Sequence, residues 1–314
     1  MKLRQLQCLC TVADVGFNIS RAALALHATQ PAISKQLRQL EEELGCDLLL
    51  RQAGRPVALS EAGERCLAWA RRALQCTDNL RAAAHGDVGV GDFALAASHM
   101  HAKYLVLPKL ASFIDRFPRV RVKMLQVSPE AVVDMVRDGR AVVGLTLMPP
   151  AASSEVVAFP FRGSPRVLLA PNGHPLLDGP ELTLERIAAY PVVLPHSFGS
   201  HGGQIVTVFR DAGVRVDVAL QALDTDLVKS YVAAGLGVGI ISAACHRSGV
   251  DQGLAVRDAS HLFEPALSAV VLRRHMHLPR HVHDFISQLD PGLADADFNT
   301  HADEAPAVAA ALAR

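Results

Sequence analysis

At 314 residues the chain is long enough for two or three units with cores of their own, and it exceeds what a single small module needs. Basic and acidic side chains number 31 each, so net charge by itself points to no polyanionic partner, although residues 1–85 hold 11 basic against 8 acidic and leave 20 against 23 for the rest, a weak asymmetry. Six cysteines, Cys8, Cys10, Cys46, Cys66, Cys76 and Cys245, form no C-x-x-C pair and no secreted framework, which makes them buried or inert thiols.

Met1 to Val15 places Leu3, Leu6, Leu9 and Val12 at helix spacing and breaks any apolar run with Gln5, Gln7 and Asp14, so it reads as a packing helix and not as a signal peptide. The most apolar run, Tyr231 to Cys245, is too short for a bilayer and is broken by glycines; a cytoplasmic protein without a membrane partner is expected. Asn18 is placed to cap a short helix, Ile19 to Leu26, whose Ala22, Ala23 and Leu26 are small enough for a close helix crossing. After the link His27, Ala28, Thr29, the residues Ile33, Leu37, Leu40 and Leu44 form one stripe of a second helix, Gln30 to Leu44. Its other face carries Pro31, Ser34, Lys35 and Arg38, with Thr29 and Gln30 at the start; Thr29 is expected to cap it, and Pro31 is tolerated in the first turn.

Two helices so joined make a helix-turn-helix. Gln30, Ser34, Lys35 and Arg38 offer donors and acceptors for base edges or backbone, and the helix N-terminus favours phosphate. Gly45 ends the helix, and Asp47 to Arg51 with Pro56 to Leu59 read as a wing whose Arg51 and Arg55 would meet phosphate. Pattern alone leaves open an ordinary helical hairpin with a solvated polar face.

This stretch resembles the LysR-type transcriptional regulators. The family signature runs here through Ala22-Ala23 to Leu26, Thr29 to Gln36 (T-Q-P-A-I-S-K-Q), Leu40 to Gly45 and Leu59 to Gly63, in order and at family spacing. Leu50 stands where the family usually has Phe, one apolar plug for another.

A helix starts at Ser60 and continues to about His85, with Leu67, Ala70, Leu74, Thr77 and Ala84 at alternating three and four spacing and Leu80 beside Arg81. That narrow seam suits another helix. A surface helix of its own domain is the alternative; a dimerisation helix is expected, and the family resemblance implies the same. Gly86, Gly89 and Gly91 then make a hinge.

From Asp92 onward strand-like runs alternate with helical ones: strand 93–97, helix 104–117, strand 119–126, helix 129–137, strand 142–147, then strand 167–170, helix 182–189, strand 192–194, helix 203–212, strand 215–220, helix 224–234, strand 237–242, strand 267–272 and helix 280–289. This βα rhythm builds mostly parallel sheets with helices on both faces, in two lobes with a cleft bordered by strand ends. The tail from Pro291, rich in Ala and Asp, is expected to be partly disordered.

This half resembles the periplasmic-binding-protein-like co-inducer domain of the family, and more narrowly the cysteine-regulon activator (CysB-like) branch. The resemblance rests on Met1-Lys2-Leu3, Phe17 to Ser20, Ala102-Lys103-Tyr104 with Leu107-Pro108, Phe117 to Val120, Phe198-Gly199, and Asp224 to Gly239 (D-T-D-L-V-K-S-Y-V-A-A-G-L-G-V-G). It implies an anion such as sulfate or an acetylated serine in the cleft, held by hydroxyls and helix-end N–H groups. Carried over residue by residue, the implied effector set is Ser98, His99, Met100, His101, Thr146, Leu147, Phe198, Gly199, Ser200, His201 and Thr225. Met100, Leu147 and His201 replace threonines of the branch and His101 a glutamine, so hydroxyls are lost and imidazoles gained, which suits a larger or more acidic ligand with pH-dependent affinity. Ordinary polar roles are the alternative for His101 and His201 and the stronger reading for His99; a metal site from the three is disfavoured, since H-x-H spacing is weak and no acidic or Cys partner is near in sequence. Thr225 is also a candidate helix cap.

A solute-binding transport protein would lack the helix-turn-helix and carry an export signal. Enzyme motifs are missing: Ser200 has no G-x-S-x-G elbow, there is no P-loop, and the G-L-G-V-G of Gly235 to Gly239 precedes a strand. The expected architecture is α/β: a winged helix-turn-helix (1–59), a long linker helix (60–88), a two-lobed effector domain (89–290, lobe I about 89–162 and 266–290, lobe II about 163–265) and a tail (291–314). The expected function is a transcription regulator without cofactor, metal or catalytic residues. Its partners would be an inverted-repeat DNA operator, a small anionic effector and further copies of itself in a dimer and a tetramer, with RNA polymerase as an additional candidate. A regulator of the same fold answering an unrelated effector is the alternative.

Overall fold

Residues 1–52, 54–84, 91–147, 155–195, 202–274, 276, 278–293 and 298 are described by the computed structural model. The chain divides into a unit built on Met1–Val88 and another built on Gly89–Arg137 and Ala141–Arg314. In the first, α1 (Leu3–Asp14), α2 (Ile19–Ala25) and α3 (Gln30–Leu44) precede an antiparallel ribbon, β1 (Leu49–Gln52) with β2 (Arg55–Leu59), and then α4 (Glu61–Ala84). Ile33, Leu37 and Leu40 of α3 are buried with Leu6, Leu9 and Val12 of α1, Ala22 and Ala23 of α2, and Leu48 and Leu49. Leu44, expected on the same stripe, is 43% exposed, because the last turn of α3 runs past this core.

Asn18 caps α2 by accepting a bond from the Arg21 N–H at 3.0 Å. Thr29 takes the N-cap position of α3 with extended backbone, but its hydroxyl makes no capping bond, contrary to expectation. Gly45 ends α3 at φ 69°, where a left-handed conformation lets the Cys46 N–H reach back to the Glu41 carbonyl. Ser60 accepts from the Gly63 N–H at 2.9 Å and so caps α4. Gly63 has to lack a side chain: a Cβ there would lie 2.0 Å from the Leu48 carbonyl oxygen.

The stripe on α4 is used differently from the expectation. Leu67 and Ala70 are buried in the core of their own unit, and Leu74 packs against it, since the tight turn at Ser60 returns α4 onto α1. Trp69 and Leu80 are instead exposed, at 66% and 70%.

The second unit holds two five-stranded sheets. Lobe I contains β3 (Gly91–Ala97), α5 (Leu107–Arg116), β4 (Val120–Gln126), α6 (Pro129–Arg137), β5 (Val143–Leu147) and β6 (Val156–Ser164). Lobe II contains β7 (Arg166–Pro171), α7 (Leu184–Ala188), β8 (Val192–Pro195), α8 (Gly202–Asp211), β9 (Val218–Ala222), α9 (Thr225–Ala233), β10 (Val238–Ser242) and β11 (Leu254–Asp258). The chain returns to lobe I with β12 (Ala266–Arg273) and α10 (Arg280–Leu289). The orders are β4-β3-β5-β12-β6 and β11-β7-β10-β8-β9. β3, β4 and β5 run parallel, as do β8, β9 and β10, while β12 and β7 pair antiparallel with their neighbours. β6 and β11 are not expected from sequence; both are edge strands, and β6 contains Pro160. Residues 215–217, expected in a strand, precede β9.

Between β3 and α5 the helix widens into a π-helical stretch, His101–Val106, in which the Leu107 N–H donates to the carbonyl of Ala102. Pro108 follows directly, and its ring crowds the carbonyl four residues back, so the wider turn relieves that clash. In the lobe I core Phe113 packs edge-on against Phe93 and Phe285 at 5.9 and 5.1 Å between ring centres. The start of the tail is ordered, contrary to expectation: Pro291–Leu293 form a short helical turn with Leu293 buried in the lobe I core, and Phe298 stacks edge-on to Phe159 at 5.0 Å; residues 294–297 and 299–314 lie outside the described ones.

Candidate functional site

The first candidate surface lies on α3. With Ile33, Leu37 and Leu40 committed to the core, Gln30, Pro31, Lys35 and Arg38 are exposed and Ser34 is half-buried. Thr29 is exposed with its hydroxyl uncommitted to the cap. A polar, basic helix face beginning at an N-terminus is the arrangement that reads a DNA groove. Arg51 on the ribbon is already engaged: its guanidinium meets the Glu41 carboxylate at 2.6 Å, and the same carboxylate accepts the Leu48 and Leu49 N–H groups at 2.9 and 3.2 Å. Glu41 is 8% exposed and ties the end of α3 to the wing. Sequence reasoning misses it, since an E-E-E run reads as a solvated face. Arg55 lies on β2, directly across from Gln52.

The second site is where the lobes meet. The chain crosses between the lobes at Ser164-Pro165-Arg166 and between β11 and β12, and residues that follow β3 meet the start of α9. Asp226 on α9 receives three lobe I side chains: the His99 Nε2 at 2.6 Å, the Lys103 Nζ at 2.6 Å and the Tyr104 hydroxyl at 2.5 Å. The Lys229 ammonium donates to the Tyr104 oxygen at 2.7 Å and pairs with Asp251 at 2.8 Å. Burial would raise the Asp226 carboxyl, but its bonds from Lys103, Tyr104 and His99 win and hold it well below the ordinary range. The Tyr104 hydroxyl is pushed up by burial and by its bond to Asp226. Asp251 is lowered because Lys229 outweighs the cost of burial.

The effector residues expected from sequence divide. Ser98 and His101 are buried, and the His101 ring bridges two hydroxyls, Ser98 at 2.7 Å through Nδ1 and Ser268 at 3.1 Å through Nε2. Thr146 is buried and donates to the Pro129 carbonyl at 3.1 Å. Met100 packs against the lobe II core beside Tyr104, and Leu147 pairs with Ser268. Asp224, not Thr225, caps α9, accepting from the Leu227 N–H at 3.0 Å. Thr225 is buried. Phe198, Gly199, Ser200 and His201 lie outside the described residues. Lys103, Tyr104, Asp226 and Lys229 stand out in the sequence only within family motifs, because their pairing spans more than 120 positions.

His99, Asp224 and Asp226 present ligand atoms within 4.8 Å of one another. A metal there would displace the Lys103 ammonium from Asp226 and the Gln126 amide from the His99 Nδ1 at 3.0 Å, so the cluster is filled by the protein's own cation. No described helix is long and apolar enough to cross a membrane.

The sequence matches two family models, the bacterial regulatory helix-turn-helix protein of the lysR family over residues 3–64 and the LysR substrate binding domain over residues 87–294. It is 31% identical over 299 residues to the HTH-type transcriptional regulator SsuR of Burkholderia cenocepacia, covering 95% of this chain and 97% of that one. To the HTH-type transcriptional regulator CysB of Haemophilus influenzae it is 30% identical over 296 residues, covering 93% and 91%. Among solved structures, the cofactor-binding domain of the Cbl transcriptional regulator aligns with a TM-score of 0.61 at 28% identity, covering 65% of this chain and 89% of that one. These relatives are transcription regulators and not enzymes, and the helix-turn-helix with its basic face, followed by two lobes joined by an ionic network, accords with that: the chain belongs to the LysR family of bacterial transcription regulators.

Proposed function

We propose that this regulator binds an inverted-repeat operator as a dimer or tetramer and that a small anionic effector, received between the lobes of its second unit, changes that binding. What carries the DNA reading is the exposed set Gln30, Lys35 and Arg38 on a helix whose opposite side buries Ile33, Leu37 and Leu40 in the core. The effector reading draws support from the lobe junction, where charged side chains from both lobes converge. An effector works by binding one lobe arrangement better than the other, and its leverage equals that difference in affinity. The likeness to CysB and SsuR, beside the cysteine-regulon resemblance of the sequence motifs, supports a compound of sulfur metabolism as effector.

A second reading, an effector unrelated to sulfur, is favoured by one observation. His101 and Thr146 spend their polar atoms inside lobe I, so the hydroxyl-rich anion cradle implied by the branch is altered here. Thermal unfolding against sulfate, thiosulfate, O-acetylserine, N-acetylserine and alkanesulfonates separates the two, because a ligand of the native state raises its stability. A saturable rise with one of these supports the sulfur reading. A flat response to the sulfur panel, with a rise from a carboxylic acid, supports the second.

A further inference from the structure

Arg166 opens β7 at the crossing between the lobes and is 6% exposed. A guanidinium stays charged at any ordinary pH, and a buried charge is costly unless paired. Among the described residues, however, its side chain has neither a hydrogen bond nor an ion pair. Burial lowers its affinity for the proton, and Cys245 acts on it in the opposite direction. That thiol is pushed up to about 11 by burial, so at neutral pH it supplies no negative charge.

The surroundings of Arg166 are those of a binding edge. In the antiparallel register it faces Ser242, the last residue of β10, so the two side chains share one sheet face. Ser242 and Ser164 share a hydrogen bond of 2.7 Å between their hydroxyls, and Ser164 also accepts from the Ala244 N–H at 3.1 Å. Two hydroxyls that share one bond keep one hydroxyl hydrogen to give. This edge carries the carboxyl ends of the parallel strands β8 and β10, the place where open α/β sheets receive ligands.

We infer that Arg166 is the charge anchor of the effector site, taking an oxyanion headgroup (carboxylate, sulfonate or sulfate) on its guanidinium, with the spare hydroxyl hydrogen of the Ser164–Ser242 pair as a neighbouring donor. This role rests on the reading above that the effector is a small anion, and adds the residue that holds its charge. The guanidinium fork matches such oxygens two at a time, which a lysine ammonium does not. A cation left without a counter-ion in the free protein is what a site loses in stability and recovers on ligand binding.

The test uses the full-length protein as wild type, Arg166→Lys and Arg166→Gln, each with and without ligand. Sodium sulfate, methanesulfonate and acetate are titrated against sodium chloride at constant ionic strength, with thermal unfolding as readout. The expected result is a saturable rise for at least one oxyanion in the wild type, a Kd raised at least tenfold in Arg166→Lys and no saturable rise in Arg166→Gln. Ligand-free Arg166→Gln should melt no lower than the wild type, because the lost group has no partner among the described residues. Equal affinity in the wild type and Arg166→Gln overturns the anchor and leaves the anionic effector standing. No response of the wild type to any oxyanion overturns the anionic effector and the anchor with it. A ligand-free Arg166→Gln that melts several degrees lower while Arg166→Lys does not would make Arg166 a structural cation instead.

Discussion

His99 and Asp226, 127 positions apart in the chain, meet at 2.6 Å between Nε2 and a carboxylate oxygen. With the Gln126 amide facing the other ring nitrogen at 3.0 Å, the bond fixes the imidazole and closes one lobe on the other. Lys103 and Tyr104 converge on the same carboxylate, so a single side chain of α9 gathers three from lobe I.

Asp226→Asn therefore removes the negative charge that all three bonds share and turns one of the two acceptor oxygens into a donor amide. The loss is expected to be about 1–3 kcal/mol of unfolding free energy, as for other part-buried charged hydrogen bonds, measured by urea denaturation of the full chain. The pH dependence has a definite sign. The folded-state carboxyl titrates below its unfolded value, near ~3.9, so its contribution is complete above that value and is lost as pH falls through the lower folded one. The acid limb of stability against pH should flatten in Asp226→Asn. An unchanged limb would show that Asp226 does not hold the junction.

Lys35→Ala and Arg38→Ala should weaken operator binding by about tenfold each, in keeping with ~1–3 kcal/mol for one good base contact, and leave circular dichroism and oligomeric state unchanged, because both side chains are exposed. If Arg38 serves phosphate instead, its loss weakens all duplexes alike and lowers the salt slope by about one. Anisotropy titrations at several salt concentrations tell the two roles apart, and undiminished binding in both variants would move the DNA surface away from α3.

Gly63→Ala places a methyl carbon 2.0 Å from the Leu48 carbonyl oxygen, a backbone atom that no side-chain rotation can move aside. Either the start of α4 or the ribbon has to shift, at a cost of roughly 1–3 kcal/mol or more. Limited proteolysis should then cut the first unit before the second. Resistance equal to that of the wild type would mean the junction relaxes without cost.

His101→Ala should act on folding before it acts on any ligand. It strips a fully buried ring from between Ser98 and Ser268, leaving two hydroxyls unpaired and a cavity, for a loss of about 2–4 kcal/mol. A variant as stable as the wild type but blind to effector would instead return His101 to the ligand-contacting set.

Where sequence and structure agree, the signal is local. The stripe Ile33, Leu37, Leu40, the glycine after α3 and the cap at Asn18 all act within a few residues, and α6 and α10 carry one apolar face each. Where they differ, the deciding partner is distant or the strand is exposed on one side. β6 holds Pro160 and β11 is only five residues long; both sit at sheet edges, where the alternation that marks a strand is weakest. The fate of His101 depends on Ser268, 167 positions away. The whole α4 stripe reads as a seam for a partner helix, yet Leu67, Ala70 and Leu74 pack in the core of their own unit, because periodicity shows that a face is buried and not by what. Arg166 is inconspicuous in the sequence for a related reason: a lone arginine before a strand is ordinary until its burial is seen and no counter-ion is found among the described residues.

Everything proposed for this regulator depends first on α3 reading DNA. Selection of binding sites from a pool of random duplexes with the full-length protein, repeated with Lys35→Ala/Arg38→Ala, addresses this without a target gene having to be chosen. The wild type should enrich sites with dyad symmetry, and the double variant none. Enrichment of the same sites by both proteins, or of no sites by the wild type, would contradict a DNA-reading role for α3.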